Sequence, residues 1–158
     1  ARAARGPDSG MQFVPWRKVV EDKLDQTDSF KFAKIKKTER CIEKLYRVYD
    51  GKVALLVDLC RQSIVFETPR QLRRCLGQIL SDPDVSVERM KNRYDANYDS
   101  EVTAGYRDVV LNLRVVGAAS LTVREHICEL QLLLRRFAAL KHDAGHARYV
   151  AYRDLRGM

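Results

Sequence analysis

At 158 residues and 46% hydrophobic content, the chain is long enough for one domain with a real core, and no stretch approaches the roughly 20 apolar residues of a membrane span. Lysine and arginine number 29 against 21 aspartates and glutamates, a formal charge of +8 that favours polyanions such as nucleic acid, nucleotides or acidic membrane without choosing among them. A solvated surface with a basic bias is the plainer alternative. Cys41, Cys60, Cys75 and Cys128 stand far apart in apolar contexts without CxxC spacing, which reads as buried free thiols in a reducing, cytoplasmic compartment rather than disulfides or a zinc site.

Residues 1–12 lack the apolar core of a signal peptide and read as an unstructured lead-in or a remnant of cloning. From Phe13 to Gln26 the apolar positions Val14, Trp16, Val19, Val20 and Leu24 approach a 3.6-residue period, with Pro15 near the start, and predict an amphipathic helix. Phe30 to Lys36, FKFAKIK, alternates apolar with basic and predicts a strand carrying Lys31, Lys34 and Lys36. Thr38 is placed to cap a helix over 39–49 whose inner face is Cys41, Ile42, Leu45 and Val48, with Lys44 and Arg47 beside it and Asp50-Gly51 closing it. Lysines and arginines so dense around a strand-to-helix junction can line a phosphate site; a solvated helix face is the common alternative.

Val53 to Cys60 is apolar apart from Asp58, and Ser63 to Phe66 predicts a short buried strand. Pro69 opens a helix to about Leu80 with Leu72, Cys75, Leu76 and Ile79 inward. After the Asp82-Pro83 turn, Val85 to Tyr94 predicts a strand, and residues 95–104 a loop. Asp108 to Val116 and His126 to Leu132, parted by a Gly-Ala-Ala-Ser break, predict an antiparallel pair at the middle of the sheet. The chain then reads as a long basic helix from Leu134 to Arg156, possible to break near Gly145. Alternation of this kind implies a single α+β domain, a mixed sheet flanked by helices.

Two carboxylates stand in strand-like apolar surroundings, Asp58 and Glu129. Glu129 and Gln131, two apart in a strand, share a face opposite Cys128, Leu130 and Leu132. Two acids converging on one face can hold Mg²⁺, and Glu129 can act as a base on a hydroxyl; otherwise each satisfies local backbone donors or pairs with Arg61 and Arg107. His142 and His146 are spaced i, i+4, but no third metal ligand stands near them, and Trp16 and Phe32 read as core.

GYRDVVLNL, then HICELQL, then LKHDAGHARY resemble the Gly-Tyr-basic strand, the Glu-x-Gln strand and the trailing His/Tyr helix of the RelA/SpoT-type (p)ppGpp synthetase domain. KIKK before an EKL helix and Asp58 in LVDLCRQSIVF follow the same family's order, so the resemblance covers roughly residues 32–149. It implies a nucleotidyltransferase-like fold over residues 13–158, without that family's hydrolase domain, that moves pyrophosphate from ATP onto the 3′-hydroxyl of a guanine or other purine nucleotide with Mg²⁺. Carried over by position, Asp58 and Glu129 are the catalytic and metal residues, Tyr106 stacks on the acceptor base, and Lys36 and Lys44 meet donor phosphates. Gln131 and His146 fall in the acceptor pocket, and Lys34, Arg61 and Arg107 complete the nucleotide-binding set.

This chain also departs from the family pattern. Ser63 and Lys34 stand where arginines commonly sandwich the adenine, Val110 replaces a histidine, and Leu133 an arginine; Arg61 and Arg107 are neighbours placed to compensate. Retained carboxylates beside replaced base contacts leave three readings open: a divergent pyrophosphokinase, a catalytically silent nucleotide-sensing or protein-interaction domain, and an RNA- or polyanion-binding domain. An oligomer and a place in a longer multidomain protein are compatible with each, and no membrane partner is expected.

Overall fold

A computed structural model describes residues 2–4, 12–14, 33–118, 120–140 and 152. The chain divides into two compact units, Ala1–Ala33 and Lys34–Met158. In the first, β1 (Arg2–Ala4) pairs antiparallel with β2 (Gln12–Val14), with Ala3 opposite Phe13. The lead-in expected over 1–12 thus contributes backbone to a small sheet. Phe13 and Val14, expected to open a helix, lie in β2; residues 15–26 of that expected helix lie outside the described residues.

Of the strand expected at Phe30 to Lys36, residues 30–32 lie outside the described residues and 33–36 form no strand. Residues 33–37 carry no regular secondary structure, and Lys36 N donates to Leu59 O at 3.1 Å. Helix α1 spans Thr38–Val48; Lys37 rather than Thr38 holds the cap position, and no side chain caps it. Asp50 and Gly51 end the helix as expected, both with positive φ, and Leu45 O accepts from the N–H groups of Tyr49 and Gly51. The expected inner face is only half hidden: Cys41 and Leu45 are partly buried, whereas Ile42 and Val48 are exposed.

A 3₁₀ turn at Val53–Leu55 leads through an extended stretch into β3 (Arg61–Phe66). Helix α2 (Pro69–Ser81) starts as its sequence dictates: Thr68 Oγ1 accepts from Gln71 N at 3.3 Å, Gln71 Oε1 accepts from Thr68 N at 3.2 Å, and Pro69 takes the first turn, where a missing N–H costs nothing. The remaining elements are β4 (Val85–Asn92), a 3₁₀ turn (Ser100–Thr103), β5 (Val109–Val115), the short α3 (Leu121–Glu125), β6 (Cys128–Leu134) and α4 (Arg135–Ala139). Helix α3 fills what reads in sequence as a plain break. Leu134, expected to open the last helix, closes β6 because its partner Phe66 extends the ladder. Tyr152 is helical, and the expected break near Gly145 lies outside the described residues.

The four-stranded sheet has the order β3-β6-β5-β4, so the expected antiparallel pair, β5 and β6, does form its centre. β3 runs parallel to β6, and β4 antiparallel to β5 with an irregularity between Val87 and Arg89. Alternation along β5 and β6 sends Val109, Leu111, Leu113 and Leu132 to one face, where they pack with Leu72 of α2; Ile64, Leu76, Ile79 and Leu130 surround them. Each such fully buried aliphatic side chain contributes about 1.5–3 kcal/mol relative to exposure. The register turns Ser63, Asn112, Glu129 and Gln131 to the opposite face. One face of the sheet therefore packs against α2, and the other carries these polar side chains beside the buried Val65 and Leu133.

Candidate functional site

Asp58 lies at the end of the extended stretch entering β3 and is 6% exposed. Burying a carboxylate this far is costly unless cations and donors meet it. Two ammonium groups do: Lys36 Nζ donates to Asp58 Oδ2 at 2.6 Å, and Lys44 Nζ donates to the same oxygen at 2.9 Å. The Lys36–Leu59 backbone bond places the first lysine, and α1 carries the second, whose ammonium also lies 5.1 Å from the centre of the Tyr49 ring. The expected alternative partner, Arg61, is not used. Asp58 Oδ1 is buried and accepts no hydrogen bond from any described group.

The charges are mutually dependent. Burial alone raises the Asp58 carboxyl, but hydrogen bonds from Lys36 and Lys44 outweigh it and hold the carboxyl below its usual range. Burial likewise opposes a charged Lys44, and the bond to Asp58 reverses the balance, leaving that ammonium above its ordinary value.

Glu129 lies on β6, the parallel neighbour of β3. Its backbone N donates to Cys60 O at 2.9 Å, and its register partner in β3 is Arg61, so Asp58 stands three residues upstream of the residue opposite Glu129. On the other side Asn112 of β5 pairs with it. Gln131 Nε2 donates to Glu129 Oε1 at 2.7 Å, and Ser63 Oγ donates to Gln131 Oε1 at 3.3 Å. Ser63, standing where the resembled family has an arginine, thus joins the network as a hydroxyl. The structure therefore brings Lys36, Lys44 and Asp58 into one ion cluster and links Ser63, Gln131 and Glu129 across the parallel pair.

Other expected residues stand apart from this network. Lys34 is exposed two residues before Lys36, and Arg61 is exposed at the start of β3. Arg107 is occupied: Nη1 donates to Arg93 O and Asp95 O, both at 2.9 Å, and Nη2 donates to Tyr98 O at 3.3 Å. Tyr106 turns inward, its ring edge-on to Phe137 at 6.5 Å between centroids. Burial, reinforced by the Asp108 charge, pushes the Tyr106 phenol well above its ordinary value. His146 lies outside the described residues. A cavity of about 450 Å³ lies between α2 and the sheet's core face, lined among others by Leu72, Leu76, Tyr94 and Val109.

No family description matches the chain, and no curated protein matches it by sequence. Solved structures do match. Small alarmone synthetase 1 of Bacillus subtilis bound to its product pppGpp superposes with a TM-score of 0.62 at 15% identity, covering 90% of this chain and 77% of that one. A GTP pyrophosphokinase family protein of Streptococcus pneumoniae gives 0.57 at 13% identity over 84% of this chain and 68% of its own, and small alarmone synthetase 2 of B. subtilis gives 0.56 at 14% over 84% and 72%. The chain has the alarmone synthetase fold.

Within that synthetase fold, Asp108 is a buried group that sequence reasoning passed over. It is 1% exposed, forms an ion pair with Arg93, and its backbone O accepts from Arg93 N at 2.8 Å. Burial opposes the Arg93 charge, and Asp108 more than restores it. The available signal was an aspartate directly before β5, the most buried of the described strands, where a buried carboxylate demands a cation. With Arg107, this pair fixes the 93–108 connection that delivers Tyr106 to β5. Ala104 and Gly105 turn that connection with φ of 51° and 79°, a conformation glycine adopts without strain.

Proposed function

We propose that this domain transfers the β,γ-diphosphate of ATP to the 3′-hydroxyl of a purine nucleotide. The reading is supported by the synthetase fold together with one observation, a buried aspartate held by two lysines just before the strand that pairs with the one carrying Glu129. In this chemistry the 3′-oxygen attacks the β-phosphorus, the bond between the α-phosphate's oxygen bridge and the β-phosphorus breaks, and AMP leaves. Such transfers need positioned cations more than covalent chemistry. Lys36 and Lys44 supply two, close enough to Asp58 to exchange its carboxylate for phosphate oxygens. Glu129, oriented by Gln131, is placed to accept the 3′-hydroxyl proton.

Mg²⁺ fits the donors present. Asp58 Oδ1 is a buried oxygen with no donor among the described residues, and Glu129 adds a second carboxylate. Among the described residues no three His, Cys, Asp or Glu side chains gather into a site of their own, so an ion here would need substrate phosphates and water to complete its shell. When bound, the ion would neutralise phosphate charge as a Lewis acid.

A second reading, nucleotide binding without turnover, is favoured by Tyr106 and Arg107, whose inward packing and backbone hydrogen bonds engage two of the residues expected to bind nucleotide. Incubation of the protein with Mg²⁺, ATP and each of GTP, GDP, ATP and ADP, read by chromatography, separates the two. A pyrophosphorylated product that Asp58→Asn and Glu129→Gln both abolish supports transfer and names the acceptor. Nucleotide binding by calorimetry with no product supports the silent reading; binding of RNA that weakens steeply with salt, without mononucleotide binding, would displace both.

A further inference from the structure

Two cysteines widely separated in sequence lie side by side where β3 and β6 begin. Arg61 pairs with Glu129 in the parallel register, and Cys60 O accepts from Glu129 N at 2.9 Å, so one residue earlier Cys60 stands opposite Cys128. Parallel neighbours lie about 4.7–4.9 Å apart and point same-register side chains to one side, inside the Cα separation of about 4.4–6.8 Å that a disulfide accepts. Both thiols are free; Cys60 is exposed and Cys128 partly buried, and the two interact with each other. Cys41 instead contacts Lys36 O from α1, and Cys75 lies on α2.

We propose that Cys60 and Cys128 form an oxidant-sensitive dithiol site that a peroxide converts to an intramolecular disulfide. The exposed Cys60 sulfur, giving up its proton, attacks one peroxide oxygen; the O–O bond breaks, one water leaves, and Cys60 becomes a sulfenic acid. The Cys128 sulfur, losing its proton, then attacks the Cys60 sulfur, and the S–O bond breaks to release a second water. Two thiols and one hydrogen peroxide give one disulfide and two waters, the sulfurs losing the two electrons that the peroxide gains. The bond ties the residue two after Asp58 to the residue before Glu129, so oxidation locks the relative position of the two carboxylate-bearing segments. That consequence for turnover rests on the transfer reading, whereas formation of the bond does not.

The four cysteines fall in four different tryptic peptides, with Cys60 in residues 53–61 and Cys128 in 125–135. The full chain, reduced and then treated with equimolar hydrogen peroxide, should lose two hydrogens by intact mass. It should yield a 53–61/125–135 cross-linked peptide that dithiothreitol dissolves. Cys41→Ser and Cys75→Ser should retain the cross-link, and Cys60→Ser should lose it. Cys128→Ser should instead accumulate a sulfenic acid at Cys60 that dimedone captures. Cysteines that all remain alkylatable, a cross-link through Cys41 or Cys75, or over-oxidation of Cys60 without a cross-link in the parent protein would each overturn the assignment. A confirmed cross-link with no catalytic activity before or after oxidation would retain the dithiol site and reject the transfer reading.

Discussion

Lys44 and Asp58, fourteen residues apart in the chain, meet at 2.9 Å, and Lys36 reaches the same carboxylate oxygen from the other side at 2.6 Å. A helix, an extended arm and the entrance to a strand are thereby joined at one buried charge. Removing the carboxylate leaves two partly buried ammonium groups facing each other. Asp58→Asn is therefore expected to destabilise the fold by about 1–3 kcal/mol, read as a lower urea midpoint. If the transfer reading holds, it should also reduce kcat/KM by about 10²-fold or more, the loss of several kcal/mol of charge stabilisation. An unchanged urea midpoint would show that the cluster contributes nothing to stability.

The same cluster sets a pH dependence with a definite sign. The Asp58 carboxyl titrates lower in the folded chain, so its contribution is present above the unfolded value of about 3.9 and is lost as pH falls through the folded value. Lys44 titrates higher when folded, so its contribution is present below about 10.4 and is lost as pH rises through the folded value. Urea unfolding as pH is lowered from about 5 to 2 should thus show a steeper loss of stability in the wild type than in Asp58→Asn. At the alkaline end Lys44→Met should flatten the curve. Parallel curves for wild type and variants would contradict the arrangement.

Arg107 donates to three backbone carbonyls of the 93–98 segment. Arg107→Ala leaves these acceptors to water and should cost about 1–3 kcal/mol. Hydrogen exchange should rise locally in residues 93–105 before it rises in β5. Arg107→Lys, with one compact ammonium, should recover little of the protection, because it lacks the planar fork that spans several carbonyls. If exchange in 93–105 is unchanged in Arg107→Ala, the guanidinium does not hold this connection.

Leu111 is fully buried at the centre of β5, in contact with the cluster that includes Leu72 and Leu132. Leu111→Ala should cost about 2–5 kcal/mol, the transfer and cavity terms together. Since Leu111 points away from Glu129, nucleotide affinity of the folded fraction should be retained. A selective loss of affinity with normal stability would mean that the two sheet faces are not separated as described.

Much of the second unit is legible in local pattern. Thr68, Pro69 and Gln71 specify the start of α2, Asp50-Gly51 stops α1, and apolar alternation sets β5 and β6 as neighbours, because caps, turns and strand faces depend on residues within a few positions of one another. The types of group at the site, two lysines, an aspartate and a glutamate, are legible in the same way. Their meeting is not. The parallel pairing of β3 with β6 joins residues such as Ser63 and Gln131, 68 positions apart, and no local period encodes that register. Only the register sets Cys60 beside Cys128. Only burial decides that Asp108 needs Arg93, that Tyr106 turns toward Phe137, and that Ile42 and Val48 of α1 remain exposed despite their helical spacing. Sequence dictates which side chains each element offers; long-range packing decides which of them find partners, because the cost of an unpaired buried charge is set by the whole fold rather than by the segment that carries it.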